Sequence, residues 1–396
     1  MKRISVIIPC YNARNYIDRL MQSVTSQTFP LSDVEVICVN DASTDDTLEV
    51  LKSWEEKYPD SIMIIDCEKN GHLGKARNIG FQYASAEWIA FIDADDWVER
   101  DYLETLYNAA VENDCQIAAC KDIRDPGTGE MYLYDIENGS EETKRENAYE
   151  SQTDADDNAL TGDMDTVDKI TCDRESEKNL ASGVASSRSE TDYRIITYDI
   201  NTPGERSRYF KTQPLKLYAW GRLIKKQFLE DFEIFFPEYL AYEDIVWGNL
   251  VNMYVDRTCL VDRVMYHYYV NPQSIVLKKN EKYHLDHLTT QEIMWEQFAI
   301  RGFLDEYPEE AQYEYLYNGY LAMLKILALR YDEPSYSVFR LLQELTRSKV
   351  SQDYIDKLIN SDVVPPFHRL LFGMIHQNLG RPEFDQMIDS LRKAGI

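Results

Sequence analysis

Four short apolar runs rich in β-branched residues punctuate the N-terminal part of the chain, at 4–8 (ISVII), 34–39 (VEVICV), 61–65 (SIMII) and 88–92 (WIAFI). Each is too short for a globular helix and reads as a buried strand. Helical patterns lie between them. Ile17, Leu20, Met21 and Val24 recur at spacings of three and four residues behind an Asn12 placed to cap that helix, and Leu48, Leu51 and Trp54 repeat the pattern after the second run. Strands alternating with helices predict an α/β fold with a mostly parallel sheet, wound by right-handed crossovers.

Each strand is followed by a polar cluster, and in an open α/β sheet such clusters gather on the rim where ligands bind. The clusters are Pro9-Cys10-Tyr11-Asn12, then 40–46 (NDASTDD), 70–78 (NGHLGKARN) and Asp93-Ala94-Asp95-Asp96. Asp93 and Asp95 are two residues apart at a strand end, so period two aims them the same way. Paired carboxylates suit Mn²⁺ or Mg²⁺, which complete their shells with phosphate oxygens and water. Asp41 is placed to accept from a ribose hydroxyl or a base N–H. Gly71 and Gly74 permit close backbone approach, with Lys75 and Arg77 just beyond, where a helix start favours anions. A nucleoside diphosphate fits these parts. Taken singly, 40–46 also reads as an Asx-rich helix cap and 70–74 as an ordinary turn. Neither G-x-G-x-x-G nor the P-loop motif occurs. The order of the four loops carries the reading.

In that order the segments ISVIIPCYN, VICVNDASTDDT, NGHLGKARNIG and WIAFIDADDW resemble the nucleotide-sugar-binding half of the family 2 glycosyltransferases. The resemblance covers about the first 120 residues. A second block is similar to the same family. The segment 219–226 (AWGRLIKK) resembles its N-K-L-Y-[KR] stretch, 236–244 (FPEYLAYED) its F-P-E-G-L-x-x-E-D stretch, and 268–275 (YYVNPQSI) the strand and loop that follow. The resemblance implies the GT-A fold, a nucleotide sugar donor held by Pro9, Tyr11, Asn12, Asp41, Ser43, Gly71, Lys75, Arg77 and Asp93, and a D-x-D metal pair of Asp93 and Asp95, with Asp95 the firmer ligand. Asp244 would be the base, and Trp220, Glu243 and Asp96 would face the acceptor. The chain departs from the family pattern twice: Ala42 stands for a glycine of D-D-G-S, and Asn271 for a histidine in Y-R-x-H-x-x-S. His267 is the nearby substitute for that metal ligand, although a histidine in an aromatic strand is more often structural.

Transfer breaks the bond between an anomeric carbon and a diphosphate oxygen. Negative charge grows on the leaving group, where a metal stabilises it, while a carboxylate takes the proton of the attacking hydroxyl. With Asp244 opposite the leaving group, one in-line displacement inverts the anomeric carbon. The bland alternatives are that Glu243 and Asp244 merely complement a helix dipole and that Trp220 is core.

Composition bounds the partners. A net charge of −27 over 396 residues disfavours nucleic acid. The seven cysteines form no C-x-x-C pair, so disulfides and zinc are not expected. No apolar stretch is long enough to span a membrane, and the N-terminus enters a strand without a signal peptide. Together with the absence of a Q-x-x-R-W segment, this predicts a non-processive cytoplasmic enzyme. Residues 137–192 hold 16 acids and 6 bases without periodicity. They read as an acidic disordered insertion at 136–193, between a donor half at 1–125 and an acceptor half at 194–282. From 283 to 396 amphipathic helical patterns return, including Phe298, Ile300, Phe303 and Leu304, then Tyr320, Met323 and Leu324. This appendage is expected against the acceptor half or in a homodimer. The stretch 366–375 is expected to pack in a core, peripheral contact with the inner face of the membrane being the alternative. The family builds cell-surface glycans on glycan or lipid-linked acceptors. Two rivals stand beside this reading: a catalytically silent sugar-nucleotide or glycan-binding module, and a nucleotidyltransferase.

Overall fold

A computed structural model describes residues 2–125, 132–133, 184–188, 193–271, 274, 277–362 and 364–394. The described residues up to Asn271 form one compact unit and those from 274 onward a second.

In the first unit the four expected strands are β1 (Ile4–Cys10), β2 (Val34–Asn40), β3 (Ile62–Asp66) and β4 (Trp88–Phe91). They pair in parallel in the order β3-β2-β1-β4. β1 is buried along its whole length, as a strand covered on both faces requires. The helices follow the apolar spacing. In α1 (Ile17–Thr25) the buried residues are Ile17, Leu20, Met21 and Val24, and α2 (Thr47–Lys57) buries Leu51. Then come α3 (His72–Tyr83) and α4 (Tyr102–Glu112).

Among the described residues the sheet has eleven strands, and nowhere along it does the spatial order simply follow the sequence. After β5 (Trp97–Val98), β6 (Ile117–Asp125) and β7 (Tyr132–Leu133) come β8 (Val184–Arg188) and β9 (Arg194–Asp199). The last two strands are β10 (Arg222–Lys225) and β11 (Arg257–Tyr269). β10 lies antiparallel between β4 and β6, and β11 pairs in parallel with β6. The halves expected at 1–125 and 194–282 therefore share one sheet. Apart from 184–188 and Tyr193, the acidic insertion expected at 136–193 lies outside the described residues, and strand pairing resumes at Val184, inside it.

Helices α5 (Pro203–Thr212), α6 (Lys226–Asp231) and α7 (Glu243–Tyr254) complete the unit. The Thr202 side chain and Glu205 close a reciprocal cap on α5. Asn12 does not cap α1: it adopts φ 49°, and the helix begins five residues later with no side-chain cap.

The second unit is helical, as expected. Its longest helices are α8 (Asp286–Ile300), the later α12 (Tyr336–Lys349) and α15 (Arg381–Ala394); between them run α9 (Phe303–Glu306), α10 (Pro308–Glu314), α11 (Ala322–Arg330), α13 (Gln352–Ile359) and α14 (Pro366–Gly373). Phe298, Phe303, Tyr320, Met323 and Leu324 are buried, whereas Ile300 is 70% exposed, off the apolar face to which its spacing assigned it. In the stretch 366–375, Leu371, Phe372 and Ile375 are buried and Leu370 is exposed. Among the described residues no helix is long and apolar enough to cross a membrane.

One contact fixes α7 against the loop that precedes β10. A Cβ on Gly248 would lie 2.3 Å from the Leu217 carbonyl oxygen and 2.5 Å from its Cα, backbone that cannot swing aside. Gly248→Ala is therefore expected to destabilise the protein by about 1–3 kcal/mol, read as a lower urea midpoint with unchanged slope.

Candidate active site

The loops at the carboxyl ends of β1, β2 and β3 are tied to one another. The Asn12 side-chain oxygen accepts from the Thr44 N–H at 2.8 Å, and the Asn12 N–H donates to Ser43 Oγ at 3.0 Å. Asp41 is 3% exposed, and its carboxylate accepts from the Gly71 N–H at 2.8 Å, beside the start of α3. Burial pushes its carboxyl pKa up against that hydrogen bond. Pro9 is buried in β1, whereas Tyr11 is 45% exposed on the rim. Ala42 has φ 57°, the left-handed conformation a glycine adopts without strain. The missing glycine therefore changes the strain of this turn and leaves its left-handed shape in place.

Behind the rim, α3 grips the segment 236–244. Asn78 pairs with the Phe236 backbone in both directions, accepting from its N–H at 3.2 Å and donating to its carbonyl at 2.9 Å. Gly74 lets the Pro237 carbonyl approach to where a Cβ would leave 2.1 Å. The Tyr239 N–H donates to the Gly71 carbonyl at 3.1 Å, and Lys75 donates to the Tyr239 hydroxyl. Arg77, 3% exposed, donates to Asp93 at 2.7 Å and to Glu243. Two motifs far apart in sequence thus act as one piece, a coupling that no local pattern reveals.

This geometry reassigns several residues. Arg77 was expected to meet the donor, but its guanidinium is buried between two carboxylates. Glu243, expected at the acceptor, is buried as one of those partners. Asp96 is fully buried, accepting from the Tyr266 hydroxyl at 2.6 Å and the Tyr269 N–H at 2.8 Å. The same hydroxyl accepts from the Asp93 N–H at 3.2 Å, so Tyr266 shapes the D-x-D turn from below. Trp220 is stacked against Tyr218 (3.7 Å) and Tyr266 (4.6 Å) and is buried, so it has no free face for a sugar. His267, expected as a substitute metal ligand, instead bonds Glu99 at 2.8 Å and stacks on Trp97.

Asp93, Asp95 and Asp244 remain accessible. Asp95 is half-buried, and its carboxylate accepts from the Asn271 amide at 3.1 Å. Burial, then the charge of Asp93, pushes its carboxyl pKa up. Asp244 is half-buried in the first turn of α7. Its pKa is pushed up to about 7, chiefly by burial and then by Glu243, with Arg77 opposing. Among the described residues no group of three or more His, Cys, Asp or Glu side chains is arranged to hold a metal ion.

The sheet is parallel over β3-β2-β1-β4 but mixed beyond it, not mostly parallel as expected, because β10 enters antiparallel between β4 and β6; such a mixed sheet with its D-x-D loop and an acidic helix start on the same unit is consistent with the GT-A-like class of α/β folds. Over the whole chain the fold superposes on the Staphylococcus aureus TarS 1–349 structure, with TM-score 0.60 and 16% identity, covering 99% of this chain and 90% of that one. Residues 5–163 match the family described as glycosyl transferase family 2. Over 116 residues it is 40% identical to the glycosyltransferase GlyA of Streptococcus pneumoniae, covering 29% of this chain and 16% of that protein. Over 119 residues it is 36% identical to the poly(ribitol-phosphate) beta-glucosyltransferase of Bacillus spizizenii, covering 30% of this chain and 19% of that one. The chain thus matches less than a fifth of the length of either relative.

Replacing the bridging cation should expose its importance. Arg77→Met leaves Asp93 and Glu243 without their partner, and a loss of about 3–5 kcal/mol in urea unfolding is expected.

Proposed function

We propose that this protein is a metal-dependent, inverting glycosyltransferase that moves a sugar from a nucleotide diphosphate sugar to a hydroxyl of a glycan or lipid-linked acceptor in cell-surface polysaccharide synthesis. The observation that carries the reading is the buried Arg77 bridge, which joins the D-x-D loop to the helix start bearing Asp244. Donor and base functions are thereby held at a fixed separation.

The donor set fits a hard cation. Asp95 and Asp93 offer oxygen ligands, and ions such as Mg²⁺ take one or two carboxylates and complete their shell with phosphate and water. Mn²⁺ or Mg²⁺ held there would stabilise negative charge on the leaving diphosphate. Lys75 is on the same rim to meet the diphosphate and the exposed Tyr11 to meet the nucleoside, while the buried Asp41, expected to touch the nucleoside itself, shapes the turn at Gly71 instead. A TarS fragment of the same fold was solved with UDP-GlcNAc, which supports a UDP donor. Asp244 takes the proton from the attacking hydroxyl, and its raised pKa suits that task near neutral pH.

Calorimetry against UDP-, GDP- and TDP-sugars with Mn²⁺, Mg²⁺ or EDTA is the direct test. Metal-dependent binding is expected, and Asp95→Ala should weaken it at least roughly tenfold, a loss of about 1.4 kcal/mol. Asp244→Asn should keep donor binding while transfer falls about 10²–10⁴-fold. Unimpaired transfer in that variant would remove Asp244 from the base role. The pH profile has a definite sign. A base must be unprotonated, so the rate should fall about tenfold per unit below pH 7 and level off above it. Donor binding without turnover on any acceptor would favour the binding-module reading.

A further inference from the structure

The three aspartates that follow β4 are held by different partners. Asp93 is bound by Arg77, and Asp96 by the Tyr266 hydroxyl and the Tyr269 N–H. Asp95, between them, is held at both its backbone and its side chain. Its backbone carbonyl accepts from Arg19 Nη2 at 2.6 Å, and its carboxylate Oδ2 accepts from Asn271 Nδ2 at 3.1 Å. The Arg19 guanidinium lies 3.9 Å from the Trp97 ring centroid and 5.2 Å from that of Tyr269, so two aromatic rings fix its place.

Asn271 is anchored in turn. Its Oδ1 accepts from the Tyr16 hydroxyl at 3.4 Å, and the Tyr16 ring packs 5.3 Å from that of Tyr269, the last residue of β11. Tyr16 and Arg19 are three residues apart where the chain enters α1, so they share one face of that turn. This face reaches Asp95 by two routes, through Arg19 to the carbonyl and through Asn271 to the carboxylate. The chemistry also settles which way the amide points. An ionised carboxylate only accepts, so the edge of Asn271 that meets Asp95 is its NH₂, while Oδ1 meets a hydroxyl able to donate. The amide therefore reaches the aspartate as a hydrogen-bond donor, an edge that cannot ligate a cation.

We propose that Asn271, anchored on Tyr16, is the positioning residue that orients the Asp95 carboxylate for the donor's cation. The proposal rests on the reading of Asp95 as a metal ligand. One carboxylate oxygen is committed to the amide, and the cation takes the other. Hydrogen-bond partners of this kind orient ligating carboxylates, and losing one typically costs about 10–100-fold in metal affinity. Arg19 keeps the backbone from rotating beneath the carboxylate.

Mn²⁺ binding to the full chain in the presence of UDP, read as loss of the free-Mn²⁺ paramagnetic resonance signal, tests this without turnover. Asn271→Ala should weaken Mn²⁺ binding about 10–100-fold while its Tm stays within about 2 °C of the unaltered protein. Tyr16→Phe keeps the ring and removes only the hydroxyl, and should weaken binding about two- to threefold. Tyr16→Phe should cost nothing further in the Asn271→Ala background, and Asn271→Ala nothing further in the Asp95→Ala background, because each residue acts through the next. A residue that only supports the fold, or that ligates the metal itself, would instead add its loss in full. The proposal is overturned if Asn271→Ala binds Mn²⁺ as tightly as the unaltered protein, or if its loss adds in full to that of Asp95→Ala. Mn²⁺ binding that depends on Asp95 but not on Asn271 overturns the positioning role alone and leaves the donor reading standing. If the unaltered protein binds no Mn²⁺ with UDP, or Asp95→Ala binds it as tightly, the metal-ligand reading falls and the proposal falls with it.

Discussion

The Arg77 guanidinium sets the geometry on which the site depends. A buried cation is costly unless its charge is met, and here Asp93 at the end of β4 and Glu243 at the start of α7 meet it together. Each carboxylate would be just as costly without the cation. The strand end and the helix start therefore cannot drift apart without leaving charge uncompensated on both sides. Asn78 and Gly74 reinforce the same joint with backbone contacts. The residue that would do the chemistry, Asp244, needs no tether of its own, because its neighbour in sequence is the tethered one.

The fold's local parts were legible because they depend on periodicity. Strand cores and the apolar face of α1 follow from spacing alone, and the rim follows from where polar clusters fall. The partners of Asp96, Trp220 and His267 were not legible. Asp96 is met by Tyr266 and Tyr269, Trp220 by Tyr218 and Tyr266, and His267 by Glu99 and Trp97, nearly all of them brought in by β11 pairing. No window of sequence contains those contacts. Asn12 failed as a cap for a related reason: its side chain found the neighbouring loop at Thr44 before it could serve its own helix. The left-handed backbone at Tyr239 was signalled in principle by a bulky residue at a position where the resembling segment has glycine.

Backbone strain is present in the loops around the rim, beyond the parallel strands β1 to β4, which pair without a register shift. Asn12, Ala42, His72, Tyr239 and Tyr242 all take positive φ without being glycine. Each such residue costs of order 1–3 kcal/mol, which the fully buried β1 and its parallel neighbours must offset. The arrangement separates a stable scaffold from loops whose shapes are imposed on them.

The position of β10 bears on how the chain can be made. Because β10 lies between β4 and β6, the parallel strands formed first have an unpaired edge at β4 until residues 222–225 arrive. During synthesis that edge must wait through the whole acidic segment, and an exposed strand edge is a template for pairing with another chain. A run of like charge is poor at such pairing. Residues 137–192, with 16 acids against 6 bases, come between β4 and β10 in sequence, so β10 is made long after the edge that it covers.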